Sequence, residues 1–442
     1  MSLSRRQILP AAFTIVPRSV LGGPGYTAPS DKLVLAAAGV GGMGAEYLKG
    51  CESQTIGALC DVDTPFAARI FRRYPKAKTY TDFRVMLERE KGIDAVIIGT
   101  PDHTHAAVAS TAMKLGKHVY CAKPMTRTVH EARTLARLAR EKKLATQMSV
   151  QSCASDEACS TEEWLQAGAI GKVREIHIWT DRPVWPQGVK RPADTPPVPQ
   201  GLAWDLWLGP APARPWNPAY HPFVWRGWTD FGTGALGDMA CHALHIPFRA
   251  LGLRHPLSVH ASASRVVESS LEMVDGEPRL QPRIAKLTET FPHAAIITWD
   301  LPGGVRLIWY EGGIRPPRPL GLEPGKPLAG SGQYYVGEKG VLLSGFTGGP
   351  RVLDRDFPAP PKTIARTLGH YEEWINACKG GPAANCNFEF ASLITETALL
   401  GVIAEQAPGS LLEWDPSAMR FPNSTEATAL LNPPARAGWS IE

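Results

Sequence analysis

Apolar runs and amphipathic stretches alternate along the first third of the chain. Apolar runs occupy 55–63, 93–101, 118–122 and 144–150, and the stretches between them space their apolar residues as helices do. Continuous apolar strands separated by amphipathic helices are typical of a parallel sheet covered on both faces. The pattern predicts a doubly wound α/β domain over residues 31–151.

The pattern changes after Gln151. Shorter runs with alternation or hairpin-like spacing predict strands at 172–181, 257–267, 285–291, 294–301, 305–313 and 334–345. Helical spacing returns at 235–252, 368–381 and 388–407, whereas 211–234 is too rich in Pro, Gly and aromatic residues for a regular element. We therefore expect an α+β domain with a large, open, mostly antiparallel sheet over 152–407, followed by a surface tail over 408–442.

A glycine cluster follows the first predicted strand and opens a helix. It has the spacing G-x-G-x-x-G and consists of Gly39, Val40, Gly41, Gly42, Met43 and Gly44. Asp61 ends the next strand, at about the distance expected of an acid that bonds the adenosine ribose. The combination predicts a Rossmann dinucleotide site, with NAD favoured because Asp61 would repel a 2′-phosphate. The alternative is a glycine turn that holds no ligand.

Three further loops should reach the same crevice, because ligands of open parallel sheets bind beyond the carboxyl ends of the strands. The loops are 99–105, 122–126 and 150–153. The cofactor contacts expected from them are Thr100, Pro101, His105, Lys123 and Gln151. His103 and His105 are also candidates for substrate binding, although histidines in such loops equally often cap a helix or pack.

The predicted helix 235–252 carries Asp238, His242 and His245 on one face. A carboxylate one turn before a histidine can orient the ring and raise its basicity, as a general base for an alcohol proton requires. The alternatives are a solvated ion pair and a metal site. No further cluster of ligand residues accompanies these three, so we predict no metal.

The ordered set of these motifs resembles the glucose–fructose oxidoreductase / inositol dehydrogenase / MocA family over nearly all of residues 31–407. The segments that carry the resemblance are AAAGVGGMG, CDVD, GTPDHTHAAVASTAMKLGKHVYCAKPMT and WRGWTDFGTGALGDMACH. The resemblance implies that Lys123, Asp238 and His242 form the catalytic group beside the nicotinamide. Two positions depart from the family pattern: Ala122 replaces a glutamate before the lysine, and His245 stands where an acid is common.

Aromatic residues and an arginine precede the helix. Tyr220, Trp225, Arg226 and Trp228 suit a carbohydrate, because aromatic faces stack on sugars and a guanidinium donates to hydroxyls, but packing is an equally common role for them. We therefore expect Arg226, Trp225, Tyr220, His245 and His103 to be the substrate-binding residues.

The expected activity is hydride transfer between a secondary alcohol of a sugar or glycoside and NAD. Relatives in the family also include glycosidases that hold NAD tightly, oxidise the sugar transiently, eliminate the aglycone and return the hydride. A non-catalytic sugar or dinucleotide sensor is a further alternative. Because an uncovered apolar sheet face is costly, we expect a dimer or tetramer formed through the C-terminal sheet.

Composition and charge exclude only a few classes of function. The net charge of +5, from 47 basic and 42 acidic residues, is spread along the chain and gives no sign of a nucleic-acid surface. The sequence contains no run of 18 apolar residues, so it predicts no membrane-spanning helix. The eight cysteines lack C-x-x-C spacing, and the local candidates for a disulfide are Cys153 with Cys159 and Cys378 with Cys386.

The first thirty residues resemble a twin-arginine export leader. They contain Arg5-Arg6, an apolar stretch to Val16, and a segment rich in Pro, Gly and Ser. Because Pro10 and Pro17 interrupt the apolar stretch, the alternative is a disordered tail with a chance arginine pair. A functional leader predicts a periplasmic or exported protein that folds around its cofactor first; without one, the protein is cytoplasmic.

Overall fold

The first domain is built on a parallel sheet. A computed structural model describes residues 31–264, 266–285, 288–345, 349–353 and 355–442, so the leader expected at 1–30 lies outside the described residues. The six strands are β1 Val34–Ala38, β2 Thr55–Cys60, β3 Lys78–Tyr80, β4 Ala95–Ile98, β5 His118–Cys121 and β6 Thr146–Met148. Their order is β3-β2-β1-β4-β5-β6 and every pairing is parallel. The carboxyl ends of all six therefore meet at one edge.

Five helices cover this sheet. They are α1 Gly44–Gly50, α2 Thr64–Arg73, α3 Phe83–Arg89, α4 Asp102–Lys114 and α5 Val129–Glu141. Side chains fix where several begin: Asp63 caps α2 by accepting from the Phe66 amide, and Thr128 and Glu131 form a reciprocal capping box on α5. The third strand, β3, was not among the sequence predictions. Two of its three residues are exposed, which leaves no apolar run to recognise.

The second domain carries a larger, mixed sheet. Its strands are β7 Val173–Trp179, β8 Ser258–Ala263, β9 Val266–Val274, β10 Glu277–Ala285, β11 Ala295–Leu301, β12 Val305–Tyr310, β13 Gly332–Gly337, β14 Gly340–Ser344, β15 Arg351–Val352 and β16 Leu412–Glu413. β9 and β10 form a separate hairpin, and the other eight lie in the order β15-β14-β13-β7-β12-β11-β8-β16. Only the β7–β12 pairing in this sheet is parallel. The predicted fold class, a Rossmann domain followed by a mostly antiparallel α+β domain, is confirmed.

Three predicted strands have different bounds. The run 257–267 is divided between β8 and β9, and 334–345 is the hairpin β13–β14, which turns at Glu338-Lys339 between two glycines. The strand predicted at 285–291 is wrong for its described part, because β10 ends at Ala285 and residues 288–291 contain only one isolated bridge. Alternation alone does not reveal where a strand turns back on itself.

Six further α-helices follow in the described part of the chain. They are α6 Asp156–Gln166, α7 Trp204–Leu208, α8 Gly234–Ala250, α9 His370–Cys378, α10 Phe388–Ala404 and α11 Thr425–Ala429. Helices α8 and α10 share the main core with the inner face of the sheet. No helix in the described part of the chain is long and apolar enough to cross a membrane.

The outer face of the large sheet is covered in part by the chain itself. Ile314, Leu322 and Leu328 pack against Trp179 and Tyr334 of that face. This covering reduces the apolar surface on which the expectation of self-association rested. A dimer or tetramer formed through this sheet stays a prediction.

Candidate functional site

Two loops approach each other closely where β1 and β4 end. Gly39 has φ +76°, and a Cβ there would lie 2.5 Å from the Thr100 amide nitrogen. A Cβ on Gly44 would lie 2.0 Å from the Gly39 carbonyl oxygen. Side chains at these positions are therefore excluded by sterics. Gly42 has open space beside it and, with the exposed Met43, faces a cavity.

Asp61 holds the glycine loop in place. One carboxylate oxygen accepts from the amides of Val40 at 2.8 Å and Gly41 at 3.0 Å, and the other accepts from Asp63 at 3.0 Å. Burial raises the pKa of Asp61 despite these three bonds. A carboxylate has about four acceptor positions, so one is left for a ribose hydroxyl. Asp61 therefore fits its expected role and also shapes the loop, which the sequence did not indicate.

The cavity wall offers a second polar group to a dinucleotide. The Thr100 hydroxyl is buried at the cavity and has no hydrogen-bond partner among the described residues. A buried hydroxyl without a partner is costly, and a bound ligand can satisfy it. The glycine loop, Asp61 and Thr100 together fit NAD.

Lys123 follows β5 at the same edge. Its amide donates to the Ser149 hydroxyl at 3.2 Å, and that hydroxyl lies 3.0 Å from the Tyr47 hydroxyl. Its ammonium group forms an ion pair with Asp238 of α8, in the second domain. The partner of Lys123 therefore comes from across the domain boundary, whereas the preceding residue, Ala122, offers no charge.

Asp238 also pairs with a second cation. Arg226 donates through Nε to the same carboxylate oxygen at 2.8 Å. Burial by itself would raise the pKa of Asp238, but the charges of Arg226 and Lys123 outweigh burial and hold it well below its usual range. Asp238 is therefore a fixed negative charge shared by two cations.

His242 lies one turn further along α8 and is partly exposed to the cavity. Burial, followed by the charge of Lys123, lowers its pKa to about 3, although Asp238 acts in the opposite direction. Asp238 therefore acts in the expected direction, raising the basicity of His242, but burial and the charge of Lys123 outweigh it. A neutral ring is still able to accept a proton at neutral pH.

Arg226 is clamped between two indoles. Its guanidinium carbon lies 4.2 Å from the ring centre of Trp225 and 5.4 Å from that of Trp185, and all three residues line the cavity. Trp225 and Arg226 are therefore placed where a substrate could contact them.

Three residues expected to bind substrate are placed elsewhere. Tyr220 is buried beside Trp228 and Phe231, at ring distances of 5.1 and 5.5 Å. The ring nitrogens of His103 lie 3.2 Å from the Phe231 carbonyl and 2.8 Å from the Trp207 carbonyl, inside the protein. His245 is fully buried, with Nε2 3.0 Å from the Ser152 hydroxyl. None of the three lines the cavity, so the structure does not place Tyr220, His103 or His245 where they would contact a ligand there.

His105 joins two loops of the site. Its ring nitrogens lie 2.8 Å from the Pro124 carbonyl and 2.8 Å from the Thr100 carbonyl, and the residue is fully buried. This links the Lys123 loop to the loop after β4. The contacts favour packing and loop positioning over a substrate role.

A single cavity of about 480 Å³ connects these parts. Of the expected cofactor residues, those that line it are Gly39, Gly42, Met43, Asp61, Thr100, Pro101, His105, Lys123 and Gln151, while Gly41 and Gly44 shape the loop behind it. Lining residues that sequence reasoning missed are Phe66, Phe83, Leu206, Trp207, His221 and Trp439. His221 is fixed by an Asp63 contact of 2.8 Å.

The described residues contain no group of three side chains arranged to hold a metal ion. All eight cysteines, each of which lies in the described ranges, are free thiols, so neither local disulfide considered above is formed.

Comparisons with known proteins agree with this arrangement. Residues 34–150 match the model of the Gfo/Idh/MocA oxidoreductase family, NAD-binding Rossmann fold. Residues 179–265 match the C-terminal alpha/beta domain of the same oxidoreductase family. The chain is therefore similar to the Gfo/Idh/MocA oxidoreductase family over these two segments.

Proteins similar in sequence include several sugar-related enzymes. Levoglucosan dehydrogenase of Pseudarthrobacter phenanthrenivorans is 24% identical over 187 residues, which are 42% of this chain and 40% of that protein. The dTDP-3,4-didehydro-2,6-dideoxy-alpha-D-glucose 3-reductase of Actinomadura kijaniata is 25% identical over 58% of this chain and 69% of its own length. The match to the first of these relatives spans less than half of that relative.

Solved structures share the fold over most of the chain. The WlbA dehydrogenase of Bordetella pertussis, in complex with NADH and UDP-GlcNAcA, aligns with a TM-score of 0.60 at 15% identity, covering 87% of this chain and 99% of that one. An inositol dehydrogenase homologue from Azotobacter vinelandii, with NADH and myo-inositol, aligns with a TM-score of 0.56 at 15% identity, covering 87% and 98%. At these identities the likeness shows the fold alone.

Proposed function

We propose that the protein is an NAD-dependent oxidoreductase that transfers hydride between a secondary alcohol of a sugar or related polyol and the nicotinamide. The observation that carries the proposal is the convergence of Lys123, Asp238 and His242 on one cavity with the glycine loop. The sugar-related activities in the names of the relatives support the substrate class.

Each side chain of the site has a separate role in the proposed reaction. NAD, when bound, supplies the hydride acceptor. The Lys123 ammonium group donates a hydrogen bond to the substrate oxygen as negative charge develops on it, and Asp238 keeps the lysine at that position. His242, neutral because burial and Lys123 lower its pKa, accepts the hydroxyl proton.

Arg226 and Trp225 are the proposed substrate contacts. The bond from Nε to Asp238 fixes the guanidinium, and the indole of Trp225 covers one of its faces. A rigid, forked donor beside an aromatic surface suits the hydroxyls and C–H faces of a carbohydrate.

The activity test uses NAD⁺ with levoglucosan, myo-inositol, glucose and methyl glucosides, followed by the absorbance of NADH. We expect turnover with at least one sugar, and its loss in Lys123→Ala and His242→Ala while NAD still binds. Lys117→Ala, which replaces a partly exposed lysine outside the cavity, is the matched control and should keep wild-type rates. Wild-type rates in Lys123→Ala would refute the assignment.

Aglycone release and ligand binding, measured beside NADH formation, separate the two alternatives. A glycosidase that holds NAD tightly releases the aglycone from aryl glycosides with no NAD added, and a sensor binds NAD or sugar without turnover. The relatives described above carry dehydrogenase and reductase names, which favours the oxidoreductase.

We also propose export of the folded protein by the twin-arginine route, on the basis of Arg5-Arg6 and the apolar stretch that follows. Cell fractionation tests it. Wild-type protein should be found outside the cytoplasm, and Arg5→Lys/Arg6→Lys should remain inside; the same cytoplasmic location for both would contradict export.

A further inference from the structure

The end of the chain forms part of the cofactor cavity. Trp439 lines the cavity and is only 8% exposed, although it lies in the segment expected to be a surface tail. Its indole lies 6.1 Å from the ring of Phe83, and the Arg84 guanidinium lies 4.4 Å from the indole centre. Two aromatic side chains from distant parts of the sequence therefore share one wall of the cavity.

Polar contacts fix the chain on both sides of Trp439. Arg436 donates from its amide to the Pro210 carbonyl at 3.0 Å and from Nε to the Gly209 carbonyl at 2.9 Å. Beyond the indole, Lys114 donates to the Ile441 carbonyl at 2.7 Å, and the Ile441 side chain is buried. The tail is therefore held to both domains, and the position of the indole is set before any ligand binds.

The strand order shows which half of a dinucleotide lies under Trp439. Phe83 follows β3 and Asp61 follows β2, on one side of the glycine loop after β1. Lys123 follows β5, on the other side. The pyrophosphate binds at the glycine loop, so the nicotinamide extends toward Lys123 and the adenosine toward Phe83. Trp439 therefore lies on the adenosine side.

We infer that Trp439 holds the adenine of NAD and that the anchored tail slows release of the cofactor. The inference rests on the proposed function, because it requires a dinucleotide in the cavity. Stacking on an aromatic side chain is a major source of affinity for a nucleobase. A preformed wall adds to affinity because little ordering is required when the ligand binds.

ADP-ribose is the most selective probe of the adenosine side, because it contains the adenosine half of NAD and lacks nicotinamide. Calorimetry on the full chain should show binding to Trp439→Ala weakened at least about tenfold, the range expected for loss of one base stack, and binding to Trp439→Phe weakened by less than that. In a chase experiment, NADH should dissociate from Trp439→Ala faster by a similar factor.

Trp414→Phe is the matched control. Trp414 also belongs to the C-terminal segment and also packs on a phenylalanine and an arginine, with Phe421 at 5.1 Å and Arg133 at 5.6 Å, but it lies outside the cavity. Its affinity for ADP-ribose should equal that of wild type. Thermal unfolding without ligand reports any general damage in each variant.

The outcomes distinguish the two proposals. Unchanged ADP-ribose affinity in a folded Trp439→Ala, or an equal loss in Trp439→Ala and Trp439→Phe, would overturn the role of the indole while leaving the proposed function intact. Failure of the wild-type protein to bind NADH and ADP-ribose would overturn the proposed function, and the role of Trp439 with it.

Discussion

Replacing Asp238 with asparagine tests whether one carboxylate holds both cations of the site. The side chains of Lys123, Arg226 and Asp238 are 17%, 17% and 9% exposed, and the Arg226–Asp238 contact is 2.8 Å. Two unit charges at that distance attract by about 6 kcal/mol at an effective dielectric constant of about 20, part of which offsets desolvation. Asparagine keeps the shape but leaves two nearby cations unneutralised.

We expect Asp238→Asn to reduce the free energy of unfolding by about 3–5 kcal/mol, the cost of breaking a buried ion pair by removing one partner. The assay is urea unfolding of the cofactor-free protein at pH 7. Asp300→Asn is the matched control: Asp300 pairs with Arg306 at 3.0 Å, and their side chains are 40% and 56% exposed. Such an exposed pair contributes at most about 1 kcal/mol.

Comparing the stability losses of the two variants tests whether Asp238 holds both cations. If Asp238→Asn loses no more stability than Asp300→Asn, the carboxylate does not hold Lys123 and Arg226 as described. The positioning role assigned to Asp238 would then be wrong.

Two further predictions concern acid stability and the glycine loop. Burial lowers the pKa of His103, His242 and His370 to about 3, whereas the unfolded chain titrates near about 6.5. The unfolded state therefore binds more protons between these values, and stability should fall as pH falls from about 6.5 to 3, by up to about 1.4 kcal/mol per histidine per pH unit. Thermal unfolding measured from pH 7 to 5 should show the loss, with a shallower slope in His370→Gln; equal slopes would contradict it. Gly39→Ala should lower the melting temperature and NAD affinity, because a Cβ at φ +76° meets the Thr100 backbone. The control Gly92→Ala, with open space around the new Cβ, should change neither, and equal behaviour of the two variants would refute the steric argument.

Local patterns were enough to predict five of the six parallel strands and to single out Lys123, Asp238 and His242, which all line one cavity. The apolar runs before Gly39 and Lys123 are recognisable because β1 and β5 are almost entirely buried. The spacing of Asp238 and His242 is one helical turn, which the sequence displays directly.

Contacts between distant segments could not be predicted in the same way. Asp238 was expected to orient His242. Its ion-pair partners Lys123 and Arg226 come from the loop after β5 and from the segment before α8, so only the folded chain reveals these contacts. His245 shares a face with Asp238, yet it lies deeper in the protein against Ser152.

The aromatic segment 211–234 is a second case in which the sequence does not show which side chains reach the cavity. Tyr220 and Trp225 are close in sequence and both aromatic, but Tyr220 packs in the protein interior while Trp225 lines the cavity. Trp439 carried no signal, because nothing in a Pro- and Ala-rich tail indicates that one indole returns to the cofactor site.

Hydride transfer at the site formed by Lys123, Asp238 and His242 is the chemistry that we propose for this protein. The most direct measurement incubates the protein and NAD⁺ with sugars deuterated at their carbinol carbons, and then analyses the nicotinamide for deuterium at its fourth carbon. We expect deuterium in the nicotinamide with wild-type protein and its absence with Lys123→Ala. A wild-type protein that binds NAD and sugar but leaves the nicotinamide unlabelled, or a Lys123→Ala variant that labels it equally, would contradict hydride transfer at this site.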